Sequence, residues 1–317
     1  MLDNNSFQPA WGLSNPNLQT IVSSVGRKIM KPAWLDGFVQ RSERRDIHVQ
    51  GQHLTAQYDR SSQIDAALVM IIHGWLGSAD SSYVVATAHA LQRAGYHVAR
   101  LTLRDHGGTA DLNEGLFHSA MTDEVVAAAQ FIMDDFGCNT AGLVGFSMGG
   151  NFALRLAKHL PQLHTLAVCP AISPQHTVEQ IAGSVIYERY FMGKWQALWR
   201  QKQAAFPHLY DFSAMNQLGS IHTLTEVFIK EHTQFEDLQA YYAAYDLRGD
   251  VLDGVSATVL AAFDDPIIPA QHYDSLPNSI DVNLTQHGGH TAYIKNWRLE
   301  SWVDDYSHAF FSERLNS

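Results

Sequence analysis

Cysteine is scarce: Cys138 and Cys169 are the only two in 317 residues. Two cysteines make no disulfide framework, and Cys169 ends an apolar run. Buried free thiols in a reducing compartment are the natural reading, with the cytoplasm as the expected location. Long apolar stretches are missing too. No run approaches the roughly 18 residues that a membrane-spanning helix needs, so none is expected. The opening residues, Met1 to Pro9, lack the basic and apolar regions of a secretory leader.

Positive charge is in short supply, with 21 Lys and Arg against 32 Asp and Glu, a net of −11. Residues 1–60 hold seven basic and five acidic side chains, which leaves 14 against 27 beyond, or +2 and then −13. An acidic body repels phosphate backbones, so no nucleic-acid partner is expected. The small basic excess, Arg27, Lys28 and Lys31 near Trp11 and Trp34, leaves peripheral contact with an anionic membrane surface open. A solvated face is the plainer reading. Internal repeats, low-complexity tracts and Pro/Ser-rich linkers are also missing, and H-E-x-x-H and C-x-x-C spacings do not occur. One compact body is therefore expected, with no metal and no cofactor.

What is present is a 46% hydrophobic chain in which apolar runs alternate with helical patterns, the signature of a mostly parallel sheet. Ala66 to Ile72 is continuously apolar, as a strand buried on both faces should be. His97 to Leu103, Thr140 to Val144, Leu163 to Cys169, Ala257 to Ala262 and Ile280 to Leu284 read as further strands. Asp46 to Tyr58 resembles an antiparallel hairpin turning at Gly51. Helices are expected over Ser82 to Ala94, Ser119 to Phe136, Met148 to Leu160 and Trp302 to Phe311. In the second of these, Val125, Ala129, Ile132 and Phe136 form one stripe, and Gly137 suits the position just past the helix end.

Residues 173–250 show no convincing strand. Tyr187, Tyr190, Phe191, Trp195, Leu198 and Trp199 recur there at helical spacing, which predicts a helical cap or lid over the sheet's C-terminal edge. The expected division is a core of residues 1–172 and 251–317 with a cap insertion at 173–250. The cap aromatics fit an apolar pocket wall and the cap's own packing equally well.

Gly145-Phe146-Ser147-Met148-Gly149, extended by Gly150, lies between a predicted strand and a predicted helix. That context makes G-x-S-x-G a nucleophile elbow, a turn so sharp that the residues two away from the serine must be glycine. Ser147 is the candidate nucleophile. Acyl transfer also needs two preorganised donors at the developing oxyanion. The backbone N–H of Met148 is one candidate, and that of Trp75, in His73-Gly74-Trp75-Leu76-Gly77, is the other. His73 reads as a brace for this loop.

Asp264-Asp265-Pro266-Ile267-Ile268-Pro269 follows a predicted strand. An acid that orients a histidine commonly precedes x-hydrophobic-hydrophobic-Pro, which selects Asp265. Asp264 then reads as a loop or capping residue, though adjacency keeps both in contention. Gln286-His287-Gly288-Gly289-His290 follows the last predicted strand, and His290 is the candidate base. The chain order Ser, acid, His is thereby filled.

Trp11 to Thr20 (WGLSNPNLQT), with its N-P-x-L-Q-T core, resembles the N-terminal signature of the YheT-like subgroup of α/β hydrolases, a subgroup that includes the animal ABHD lipases. His73 to Tyr83, Arg104 to Asp123, the elbow, the Asp-Asp-Pro loop and Gly-Gly-His290 are similar to the same group. The likeness spans nearly the whole chain. It implies the α/β-hydrolase fold, a mostly parallel eight-stranded sheet flanked by helices with a helical cap. It also implies carboxylic-ester hydrolysis with Ser147, Asp265 and His290 as triad. Arg104-Asp105-His106-Gly107-Gly108 departs from the run that relatives often show, and the cap has no clear counterpart, so substrate choice stays open.

The expected activity is that of a serine hydrolase acting on short- to medium-chain acyl esters through an acyl-enzyme on Ser147. Its partner would be a small-molecule ester with an apolar acyl group. Two rivals remain. An acyltransferase would use the same residues and pass the acyl group to an alcohol, and a binding protein on a hydrolase scaffold would use them for nothing chemical.

Overall fold

The computed structural model describes residues 7–30 and 32–315. The chain enters through a helical arm, α1 (Pro16–Ile21), then a wider turn over Val22–Gly26, then α2 (Arg27–Ile29). Asn15 caps α1 by accepting the Leu18 N–H, and Pro16 occupies its first turn. Helix α3 (Leu35–Arg41) leads to the hairpin of β1 (Glu43–Val49) and β2 (Gln52–Asp59). The hairpin turn places Gln50 and Gly51 both at positive φ, the geometry that matches strand twist.

The central units follow: β3 (Leu68–Ile72), α4 (Ser82–Arg93), β4 (His97–Thr102), α5 (Thr122–Asp135), β5 (Ala141–Phe146), α6 (Met148–His159) and β6 (Leu163–Val168). The eight strands pair in the order β1-β2-β4-β3-β5-β6, completed by β7 (Ala257–Ala262) and β8 (Ile280–Thr285). Only the β1–β2 and β2–β4 pairs are antiparallel. Side chains alternate across the sheet as the pleat demands. Met70, Ile72 and Leu143 pack with the inner stripes of α5 and α6. Val69, Ile71, Val144 and Phe146 pack on the opposite face, against α4 and the C-terminal helix. Both layers stabilise the core, at about 25 cal/mol per Å² of apolar area removed from water.

Between β6 and β7 the described residues form helices and no strand: α7 (Pro174–Ala182), α8 (Val185–Ala205), α9 (Ile221–His232) and α10 (Leu238–Ala243). The aromatic stripe of α8 divides its work. Trp199 is fully buried among Phe212 and Phe228, with ring centroids 5.4 and 5.7 Å away. Phe191 instead stacks on Trp75 at 5.4 Å, and Trp195 meets the same ring edge-on at 5.0 Å. Helix α8 is tied to the core by Lys202, whose ammonium donates to Asp105 (2.9 Å) and to the Asn113 carbonyl. Helix α11 (Trp302–Leu315) closes the fold.

Two expectations need correction. Arg27 does not belong to a solvated basic face. It is buried, its Nε donates to the Leu299 carbonyl at 2.8 Å, and Lys31 lies outside the described residues. Cys138 is only half-buried, whereas Cys169 is fully buried as expected. Among the described residues no helix is long and apolar enough to cross a membrane.

Candidate active site

The strand order turns back on itself at β3, which has β4 on one side and β5 on the other. A crevice opens there, beyond the carboxyl ends of the strands, and the candidate residues come from loops along that edge. Ser147 joins β5 to α6 at φ 55°, ψ −116°, a conformation side chains seldom adopt and which costs about 1–3 kcal/mol. The flanking glycines make it feasible. A Cβ on Gly145 would lie 2.2 Å from the Gly149 carbonyl oxygen, and one on Gly149 would lie 2.4 Å from those of Ile72 and His73. The Ser147 N–H donates to Val168 (2.9 Å), and its carbonyl accepts from Gly150 and Asn151 (2.9 and 3.1 Å). The hydroxyl is thereby held at the start of a helix.

His290 Nε2 lies 2.9 Å from Ser147 Oγ. On the other side of the ring, Nδ1 lies 2.9 Å from Asp265 Oδ2 and 3.2 Å from Oδ1. A carboxylate only accepts, so Nδ1 carries the proton, and Nε2 is left to accept from the serine hydroxyl. The Asp265 side chain is wholly inaccessible to solvent. Its Oδ1 also takes the N–H groups of Ile267 (2.8 Å) and Ile268 (2.9 Å). Pro266 has no N–H to give, so the turn passes over it to the next two residues. Asp264 faces elsewhere: its Oδ1 accepts the Gly289 N–H (2.9 Å) and its Oδ2 meets His287 Nδ1 (3.2 Å).

Met148 is the first residue of α6, so its N–H has no carbonyl one turn back to bond. Trp75 lies in a tight turn closed by Gly77 N–H to Gly74 O at 3.0 Å. Both residues line the same cavity as Ser147 and His290. The turn is braced twice. Tyr83 Oη accepts the Gly74 N–H at 2.9 Å. His73 accepts the Leu103 N–H at Nε2 (3.1 Å) and donates from Nδ1 to the Gly74 carbonyl (2.8 Å). Burial, with a smaller push from neighbouring His106, drives the His73 pKa down to about 3, so this ring is a fixed neutral bracket.

The cavity over Ser147 has a volume of about 320 Å³. Its walls are largely apolar, with aromatic rings supplied by Phe117, Tyr187, Phe191, Trp195, Phe228 and Tyr242 among others. Cys169 Sγ, Asp265 and His290 bring ligand-type atoms within 4.8 Å of one another. The aspartate and histidine are already bonded to each other, and burial, reinforced by the Asp265 charge, pushes the Cys169 thiol well above its usual pKa. A protonated thiol ligates poorly, so the cluster suits hydrogen bonding better than a metal.

Sequence reasoning missed what the N-terminal signature does physically. Thr20 Oγ1 accepts the backbone N–H of His290 at 2.9 Å, and Gln19 Oε1 accepts that of Ile294 at 3.0 Å. Neither contact has a local signal, because the partners are 270 and 275 residues apart. The only hint was a polar Gln-Thr pair closing a motif with no other task.

Residues 67–187 match the family described as the alpha/beta hydrolase fold. The chain is 26% identical over 334 residues to YheT of Escherichia coli strain K12, a protein named as an esterase, in an alignment covering 96% of this chain and 94% of that one. A serine hydrolase from the polyaromatic-hydrocarbon-degrading bacterium Cycloclasticus zankles superposes with a TM-score of 0.58 at 17% identity, covering 87% of this chain and 100% of that one. An esterase of Pyrococcus furiosus superposes at 0.56 and 14% identity, covering 87% and 91%. At such identities these two structures speak to the fold alone. The eight-stranded, mostly parallel sheet and its flanking helices are those of the α/β-hydrolase fold, and the chain is similar to YheT over almost its whole length.

Proposed function

We propose that the protein is a serine esterase that cleaves carboxylic esters through an acyl-enzyme on Ser147. The observation that carries this reading is the continuous pair of hydrogen bonds from Asp265 through His290 to Ser147, at the floor of an aromatic-walled cavity. The esterase name of the relative YheT supports the same reaction class.

In this reading His290 Nε2 takes the Ser147 proton as Oγ attacks the ester carbonyl carbon. Asp265 holds the ring in one tautomer and stabilises the imidazolium that forms. The carbonyl oxygen becomes an oxyanion received by the N–H groups of Met148 and Trp75. Each such donor typically contributes about 2.7–4 kcal/mol of transition-state stabilisation. The tetrahedral intermediate collapses, His290 returns its proton to the departing alkoxide, and an acyl-serine remains. Water, deprotonated by the same nitrogen, then releases the acid and restores the hydroxyl.

Residues 173–250 act as a cap that shelters the acyl group, and the wall shared by Tyr187, Phe191, Trp195 and Tyr242 favours an apolar one. A cavity near the lower end of the usual ligand-pocket range favours short to medium chains over long ones. The buried Cys169 thiol is in keeping with a reducing, cytoplasmic setting.

The test is hydrolysis of a p-nitrophenyl ester series from acetate to palmitate by wild type and by Ser147→Ala. Turnover of the shorter esters that is lost in the variant supports the reading. Equal turnover by both proteins refutes it.

A further inference from the structure

The arm that precedes the first strand is latched onto the loop bearing His290. Thr20, on the last turn of α1, donates its hydroxyl hydrogen to the Pro16 carbonyl at 2.8 Å. Its one proton being used, Oγ1 is left as an acceptor, and it receives the His290 backbone N–H at 2.9 Å. Gln19 beside it is fully buried and accepts the Ile294 N–H at 3.0 Å. The Ala10 N–H reaches the Ile294 carbonyl at 3.0 Å. The fit is close: a Cβ on Gly289 would stand 2.9 Å from both Pro16 O and Thr20 Oγ1. On its other side, Asn17 of the same short helix accepts the Tyr187 hydroxyl of α8 at 2.8 Å.

The loop needs such a latch. It carries Gly288 and Gly289, with Gly289, Thr291 and Tyr293 at positive φ; Tyr293 N–H to Gly288 O closes it at 2.9 Å and Asp264 holds the Gly289 N–H, while the N–H of His290 itself is taken by Thr20. The Asp265 carboxylate fixes one ring nitrogen but not the main chain that delivers the ring. We propose that Thr20 is a positioning residue for His290. Its hydroxyl fixes the backbone from which the imidazole reaches Ser147 and takes no part in the proton transfer, although Thr20 also lies on the cavity wall. The proposal rests on the reading of His290 as base and adds a residue to it.

Thr20→Val keeps the shape of the side chain and removes the acceptor, whereas Thr20→Ser keeps the acceptor. With a p-nitrophenyl ester, kcat of the valine variant should fall about 10- to 100-fold, the scale set by a misplaced catalytic group, with KM within about twofold of wild type. The serine variant should recover most of that loss. Undiminished kcat in Thr20→Val, or equal losses in both variants, overturns the proposal. In the wild-type protein the His290 amide should be protected from hydrogen exchange, and fast exchange there overturns it whether or not the valine variant folds. A His290→Ala control separates the two levels. If that variant keeps wild-type activity, the base assignment itself fails. If it is inactive while Thr20→Val is normal, only the positioning role fails.

Discussion

Asp264 and Asp265 are neighbours in the chain and serve different histidines. Asp265 Oδ2 lies 2.9 Å from His290 Nδ1, while Asp264 Oδ2 lies 3.2 Å from His287 Nδ1. The first carboxylate is sealed from solvent and the second is partly open, with side-chain exposures of 0% and 15%. The turn over Phe263 and Asp264, closed by Asp265 N–H to the Ala262 carbonyl at 3.3 Å, separates the two carboxylates, so one position decides which imidazole is oriented.

The two aspartates should therefore separate in kinetics. Asp265→Asn leaves the ring free to adopt the wrong tautomer, and kcat is expected to fall by about 10⁴-fold, as when a triad acid becomes its amide. Asp264→Asn loses a contact to His287 and weakens one to Gly289, and should cost far less. Steady-state kinetics of both variants on one ester checks this, and the reverse ranking would reassign the acid.

Gly149 predicts a stability effect. A methyl group there would meet the backbone carbonyl oxygens of Ile72 and His73 at 2.4 Å, atoms of a central strand end that cannot step aside. Gly149→Ala is expected to destabilise by about 3 kcal/mol or more, the upper range for overpacking. Chemical denaturation of wild type and variant measures it.

His106 predicts a pH effect. Burial lowers its pKa from 6.5 to about 4, so the folded form stays neutral where the unfolded chain takes up a proton. Unfolded chains then bind more protons, and stability falls as pH drops from about 6.5 toward 4. The slope from this one ring approaches about 1.4 kcal/mol per pH unit. His106→Gln has no such titration, and differencing the two denaturation curves cancels the carboxylates they share. The wild-type curve should fall more steeply across that window, and parallel curves would contradict the assignment.

Much of the fold was legible because its core strands are buried on both faces. Leu68–Ile72 is a continuous apolar run, and Ala257–Ala262 is apolar apart from Thr258, with no competing helical period. The hairpin's full length was not, since Glu43, Arg44 and Arg45 extend its first strand as a charged edge whose pairing depends on β2. Arg100 was equally hidden. It sits fully buried inside β4 because Asp59, across the neighbouring strand, bonds its guanidinium at 2.7 Å. The elbow and the Gly-Gly-His loop were readable as local turn chemistry. Thr20 was not, because its partner is set by how the arm folds back.

Covalent capture tests the central claim most directly. Wild-type protein incubated with a fluorophosphonate and examined by peptide mass spectrometry should carry one adduct, on Ser147. Ser147→Ala should carry none and His290→Ala should react far more slowly. An unlabelled wild-type protein, or an adduct on a different serine, would contradict the account.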